Sequence, residues 1–252
     1  MEPERIKQQT MVADVEWFAT LPSTNDHAVQ QARNRDCRKP LLVLAEQQTA
    51  GRGRGANQWW SEQGALTFAL LIDSIQDVPN AFISLAMGVA VCDAIRSFDG
   101  ALDAGLKWPN DVYLADRKAG GILIERPSMN NGDCIIGIGL NVNNSTRSAP
   151  AEILDKATSL LDMGQQEYEL QAVLIHLLQH IERALGAIGD DLDKLRGRWR
   201  ELCILRGRQL EVDLGDRSHI GMCQGIDDDG ALVIETASGP ARCTTGVVKS
   251  FE

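Results

Sequence analysis

Between residues 105 and 142 four short apolar segments, at 105–108, 112–114, 121–125 and 134–142, follow one another with turn-forming residues between them. Strands that succeed one another instead of alternating with helices favour an α+β fold over a doubly wound parallel sheet. The rest of the chain agrees. Residues 12–18 (VADVEWF) alternate as a strand does and lead into LPSTND, where Ser23 or Thr24 can cap a helix running through Ala28 and Ala32. The run 41–45 (LLVLA) predicts a buried strand ending at the polar EQQTAGRGRG loop, 66–72 predicts another strand, and 79–98 a helix. Apolar residues at Val173, Leu174, Leu177, Leu178, Ile181 and Leu185 give 170–188 helical spacing with one buried face, and a second helix is predicted over 191–203. From Arg206 onward short β-like pieces (QLEVDL, HIGMCQGI, ALVIET, TTGVVKS) alternate with Gly- and Asp-rich turns, the texture of a small β-barrel. We therefore expect a mixed β-sheet flanked by helices over 1–204, followed by a small SH3-like barrel over 205–252.

Three glycines (Gly51, Gly53, Gly55) alternate with two arginines (Arg52, Arg54) before a pair of tryptophans, Trp59 and Trp60. Glycine lets a ligand approach the backbone and arginine offers a fork of donors for carboxylate or phosphate, so the loop suits an anion. The spacing does not fit a dinucleotide fingerprint, and no helix-forming run follows. A plain solvated loop is the usual reading of such a stretch. The alternation of the arginines and the aromatics that close the loop favour a flat, anionic ligand such as a nucleotide. The formal charge of −10 on 252 residues argues against general affinity for DNA or anionic membranes. The arginines must then act locally.

Composition narrows the class further. An apolar content of 44% and a charged content of 24% are those of a globular protein. The six cysteines are scattered, with no C-x-x-C pair, as expected of reduced thiols in a cytoplasmic protein. The N-terminus MEPERIKQQT lacks the apolar core of a signal peptide, and the richest apolar stretch, 81–95, is interrupted by Ser84, Gly88 and Asp93, so no stretch is expected to be long and apolar enough to span a bilayer.

Three further segments carry polar residues that their strands and turns do not require. In LKWPNDVYL, Pro109, Asn110 and Asp111 make a turn, but turn chemistry does not explain Lys107 and Trp108. Asp111 beside a phosphate site is a candidate Mg²⁺ ligand. In RKAGGILIE, Lys118 precedes Gly120 and Gly121, which would let a ligand come within reach of its amine. In IIGIGLNVN, Gly137 and Gly139 weaken a strand interior unless something packs closely on them. His176 and His180 are four apart on the polar face of the long helix without a metalloprotease glutamate, and are expected to be solvated. Asp227, Asp228, Asp229 and Gly230 lack calcium-loop spacing and are expected to form a hairpin turn.

STND, EQQTAGRGRG with its tryptophan, KWPNDVYL, KAGGILIE and GIGLNVN, in this order from Ser23 to Asn143, resemble the biotin protein ligases, and the GIDDDGAL turn extends the likeness into the C-terminal piece. Two departures stand out: Asn57-Gln58 replaces a basic residue before the loop tryptophan, and the ending TTGVVKSFE lacks the family's Gly-Glu and arginine. The resemblance implies a two-step reaction: biotin and MgATP give biotinyl-5'-AMP and pyrophosphate, and a lysine of a biotin carboxyl carrier protein then takes the biotin. It implies no tightly bound cofactor. By the same carry-over Arg54 and Lys118 act on the carboxylate and α-phosphate. Ser23, Thr24, Asn25, Gln48 and Arg52 bind biotin, and Gly51, Gly53, Gly121, Gly137 and Gly139 shape its pocket. Asn110, Asp111 and Asn141 face phosphates or metal, and Trp59 faces adenine. The loop 51–57 is expected to close as a lid. Some relatives carry a winged-helix DNA-binding domain ahead of the catalytic one; only 22 residues precede Ser23, so a ligase without operator binding is expected. The resemblance leaves room for a homodimer. A lipoate protein ligase of similar chemistry, and a silent module that holds biotin or a nucleotide, are the rival readings.

Overall fold

The computed structural model describes residues 1–73, 75, 78–127 and 132–251, with Ser148 described by its backbone alone. Strands β1 (Asp14–Leu21), β2 (Leu41–Gln48), β3 (Leu66–Ile72), β4 (Ala104–Lys107), β5 (Asp111–Leu114), β6 (Arg117–Glu125) and β7 (Cys134–Leu140) form one sheet in the order β1-β2-β3-β7-β6-β5-β4. Only β1 and β2 run parallel; every other neighbouring pair is antiparallel. A parallel pair needs a crossover, and the helix α2 (Thr24–Gln31) supplies it. The chain is thus α+β, with a mixed sheet, as its succession of strands predicts.

Alternate residues of the strands face opposite layers. Leu42, Leu44, Phe68, Leu70, Ile136 and Ile138 belong to the main core with helices α3 (Asn80–Phe98), α6 (Leu170–Asp190) and α7 (Leu192–Leu202). Val43, Ala69, Leu71 and Ile135 pack instead on Ala28 and Ala32 of α2 and its C-cap. Helix α3 is long and apolar enough to cross a membrane by length and composition, contrary to the sequence expectation, but from Phe82 to Ile95 every residue except Asp93 is buried inside the fold. It reads as the core helix on which α6 and the sheet pack. The interruptions at Ser84 and Gly88 did not lower its hydropathy enough to tell these two cases apart.

The structure adds α1 (Pro3–Gln9), which plugs Ile6 into the core, and two short helices, α4 (Ala151–Leu154) and α5 (Leu160–Gly164), where no periodicity was visible. His176 and His180 are not simply solvated. Both are half-buried against α3, with Ser97 Oγ 2.7 and 3.1 Å from their Nε2 atoms, and burial is the main cause holding both imidazoles below their ordinary pKa.

Strands β8 (Gln209–Asp213), β9 (Ser218–Ile226), β10 (Leu232–Thr236), β11 (Gly239–Cys243) and β12 (Val247–Phe251) form a second, antiparallel sheet in the order β11-β10-β9-β8-β12, the small SH3-like unit. Its β9–β10 turn is the expected hairpin: Asp227 Oδ1 accepts from the amides of Asp229 and Ala231, both at 3.0 Å, and Gly230 takes φ +80°. Trp108, buried beside β4, donates its indole N–H to Gly230 O at 3.0 Å. That bond docks the barrel on the main sheet and accounts for a tryptophan that the Pro109 turn did not require.

Candidate active site

Strand register carries one row of residues across the face of the sheet that α2 covers. From β1 to β4 the successive partners are Phe18, Ala45, Thr67, Gly139, Gly121, Asp111 and Lys107. The row passes from apolar residues through two glycines to an acid and a base. In the adjoining row Ala69, Gly137 and Leu123 are partners. The three missing side chains leave a trough in the middle of the sheet, and a cavity of about 630 Å³ opens over it. The trough is already closely covered: a Cβ at Gly137 would run into the Asn25 amide, and one at Gly139 into the Trp59 indole.

At one end the cavity is walled by the start of α2. Ser23 caps that helix, its Oγ accepting from the Asp26 amide at 3.3 Å. Thr24 donates through both its amide and its hydroxyl to Gln48 Oε1, at 2.7 and 3.0 Å, and Asn25 Nδ2 donates to Glu125 Oε2 at 2.9 Å. Ser23, Thr24, Asn25 and Gln48 give this end of the cavity a lining of neutral hydrogen-bonding groups.

The glycine-arginine loop folds back as a miniature hairpin, with Gly53 N to Asn57 O at 2.8 Å and Trp59 N to Gly51 O at 2.9 Å. Gly51 is required beneath it, because a Cβ there would stand 2.6 Å from Trp59 O. The two arginines diverge. Arg52 pairs with Asp26 at 2.5 Å and Glu125 at 2.7 Å, tying the loop to α2 and β6. Arg54 reaches the other way and donates to Gly246 O of the barrel at 2.6 Å; burial pulls its pKa below the usual arginine value. Trp59 lies on Gly139 with its Nε1 buried and without a hydrogen-bond partner among the described residues.

Cations gather at the far end. Lys118 Nζ lies 2.6 Å from Asp111 Oδ1 and 5.9 Å from the centre of the Trp59 ring. Its backbone is clamped from outside the sheet: Lys118 N donates to Lys156 O at 2.8 Å, and Thr158 N donates to Lys118 O at 2.9 Å. Asn110 Nδ2 donates to Ile122 O at 2.8 Å, holding the turn before β5. Asn141 lines the cavity, but its amide is engaged with Thr158 O at 3.0 Å and with Asn144 Nδ2 at 2.9 Å. Lys107 completes the group, held by burial below the ordinary lysine pKa.

The structure thus brings together around one cavity Ser23, Thr24, Asn25, Gln48, Arg52, Gly53, Arg54, Trp59, Asn110, Asp111, Lys118, Gly121, Gly137, Gly139 and Asn141. Gly51 lies outside the lining, under the loop. Sequence reasoning passed over Lys107, Glu125 and the barrel's Gly246, Val247 and Val248. The first two sit inside motifs already singled out, whereas the barrel residues carry no local signal. Among the described residues no three His, Cys, Asp or Glu side chains converge on a metal position, and Asp111 is the one carboxylate of the lining. That donor set suits a divalent cation that arrives with phosphate oxygens of its own rather than a resident ion. Three cationic side chains, Arg54, Lys107 and Lys118, stand against one acid and are joined by a glycine trough to a polar end where Arg52 is balanced by Asp26 and Glu125; the arrangement equips the cavity to bring two anions together.

Comparisons with known proteins agree. Residues 17–143 match the biotin/lipoate A/B protein ligase family and residues 207–252 the biotin protein ligase C-terminal domain. The bifunctional ligase/repressor BirA of Bacillus subtilis is 30% identical over 241 residues, covering 93% of this chain and 73% of that protein. A biotin–[acetyl-CoA-carboxylase] ligase of Mycobacterium tuberculosis is 29% identical, covering 98% and 95%. Among solved structures, the biotin protein ligase of Aquifex aeolicus in complex with biotin and ATP superposes with a TM-score of 0.83 at 26% identity, covering 95% of this chain and 99% of that one.

Proposed function

The chain belongs to the biotin protein ligases of the biotin/lipoate A/B protein ligase family, and from that premise we propose that it adenylates biotin with MgATP and passes the biotinyl group to a lysine of a carboxyl carrier protein. The observation that carries this reading is the polarity of a single cavity, hydrogen-bonding over the start of α2, where Arg52 is balanced by Asp26 and Glu125, floored by glycines in the middle, and cationic around Lys118, Arg54 and Lys107.

The chemistry fits the geometry. A free carboxylate does not acylate an amine, because its charge repels the nucleophile and oxide is a poor leaving group. In the first step a biotin carboxylate oxygen attacks the α-phosphorus, the bond to the bridging oxygen breaks, and pyrophosphate leaves. In the second, the lysine amine attacks the acyl carbon, loses a proton, and AMP departs. Lys118 and Arg54 neutralise the carboxylate and the α-phosphate as they approach. Asp111, with Asn110 beside it, would hold the Mg²⁺ that accompanies the nucleotide, where the ion would offset phosphate charge, and Lys118, now paired with Asp111, would then be free to face the phosphate. Trp59 offers its indole face to adenine, and Asn141 supports the wall on the phosphate side. Gly51 and Gly53 let the loop fold down over the acyl phosphate and keep water from it.

Discrimination from lipoate follows from the other end. Biotin's fused urea offers both donors and acceptors to Ser23, Thr24, Asn25, Gln48 and Arg52, whereas a dithiolane ring would leave those groups unpaired. The test is incubation with MgATP, a carrier domain and either acid. Mass spectrometry should find one biotinyl group on the carrier lysine and no lipoyl group. Lipoylation in place of biotinylation, or no modification at all, would overturn the reading.

A further inference from the structure

Of the four cations that line the cavity, Arg52 and Lys118 are paired with carboxylates, while Arg54 and Lys107 form no ion pair among the described residues. Arg54 already has a role. Lys107 does not, and its surroundings are unusual for an ammonium. Among the described residues its amine donates to a single oxygen, Tyr113 Oη, at 3.2 Å. It stands 5.3 Å from the centre of the Tyr113 ring and 5.1 Å from that of Phe251, the rings meeting edge to face at 6.2 Å. Phe251 comes from β12, so the barrel supplies one side of this cage. Aromatic faces attract a cation without cancelling its charge. A partly desolvated ammonium held this way, facing a cavity, is costly until an anion joins it.

Position says which anion. In the cross-sheet row Lys107 lies beyond Asp111 as seen from Gly121, at the edge strand β4. With neighbouring strands about 4.8 Å apart, a phosphate chain whose α-phosphate sits at Lys118, on β6, and which runs away from the glycine trough passes over Asp111 toward Lys107. We propose that Lys107 receives the terminal phosphates of the nucleotide, the pyrophosphate that departs, and that Phe251 is a positioning residue holding its amine in place. The barrel then contributes to nucleotide binding through an aromatic ring. This inference rests on the ligase reading above.

Calorimetric titration with pyrophosphate, AMP and biotin, each alone, tests it. Lys107→Met should weaken pyrophosphate binding about tenfold or more, the loss expected of one charge-assisted contact, and leave AMP and biotin within about twofold. Lys107→Gln serves the same comparison should the methionine variant not fold, and Lys107→Arg should retain pyrophosphate. Phe251→Leu should raise the KM for ATP several-fold with kcat little changed, and Phe251→Tyr, which keeps the ring, should restore it. Unchanged pyrophosphate affinity in Lys107→Met, or equal weakening of all three ligands, would overturn the assignment. Wild-type protein without biotin-dependent pyrophosphate exchange would refute the ligase reading, whereas active wild type beside an indifferent Lys107 variant refutes this inference alone.

Discussion

Lys118 and Asp111 are joined by a 2.6 Å contact between neighbouring strands, at the point where the glycine trough gives way to the cationic end of the cavity. The lysine side chain is 35% exposed, so the pair contributes little to folding. Its consequence is positional: each partner holds the other where a phosphate and its metal ion would take its place.

Lys118→Met should therefore separate stability from chemistry. Adenylate formation is expected to fall by about 10²–10³, the usual cost of removing one group that stabilises developing charge. The unfolding temperature should stay close to that of the unmodified chain. Rapid-quench measurement of biotinyl-AMP beside a thermal melt checks both.

Asp111→Asn should act on the metal requirement. With its one lining carboxylate neutralised, half-maximal activity should need several-fold more Mg²⁺, and excess Mg²⁺ should restore part of the rate. A Mg²⁺ titration of the exchange rate reads this directly.

Gly137→Ala should injure the acid site and spare the nucleotide site. The new Cβ displaces the Asn25 amide and with it the 2.9 Å bond to Glu125. The expected outcome is at least about a tenfold rise in the KM for biotin with a much smaller change for ATP, a difference of about 1.4 kcal/mol or more. Steady-state kinetics with each substrate varied in turn measures the split.

The loop carrying Arg52 and Arg54 should respond to ligands. Its anchors are one arginine on Asp26 and Glu125 and the other on Gly246 O, all at the mouth of the cavity. Biotin with MgATP should slow tryptic cleavage after these arginines. Equal cleavage with and without ligands would argue against a lid.

Asp162 links pH to the site. It accepts from Thr146 N at 2.8 Å, Thr146 Oγ1 at 2.9 Å and Ser145 Oγ at 2.8 Å. Burial alone would raise its pKa, but these bonds outweigh burial and hold it below the ordinary aspartate value. A depressed folded-state pKa means stability that is present above about pH 3.9 and lost as pH falls through the folded value. Asp162→Asn should cost about 1–3 kcal/mol at neutral pH, with the gap closing in acid. Because α5 adjoins the 156–158 segment that clamps Lys118, the variant should also lose activity before it unfolds. Chemical denaturation at pH 7 and pH 3 checks the sign.

Most of the site was legible because its residues lie in short local motifs. A glycine in a strand or beside a lysine is visible without knowing what stands opposite. That Gly121 and Gly139 face each other is a matter of register, and nothing in either segment states it. The same holds for Lys107. Its motif drew notice, but its cage depends on Phe251, far along the chain in another sheet. Helix α1 escaped because its single buried residue, Ile6, gives no periodicity. Strand β11 was missed because Pro240 and two glycine-bearing turns mask its pattern beside β10. The histidines were misplaced for a related reason: the polar face of α6 is covered by Ser97 of α3, and sequence spacing cannot report a neighbour from another helix.

The central claim is that one cavity forces a carboxylate and a nucleotide phosphate together. Exchange of labelled pyrophosphate into ATP tests it most directly. The account predicts exchange that requires biotin, is not supported by lipoate, and is lost in Lys118→Met. Exchange without biotin, or at an undiminished rate in the folded Lys118 variant, would contradict it.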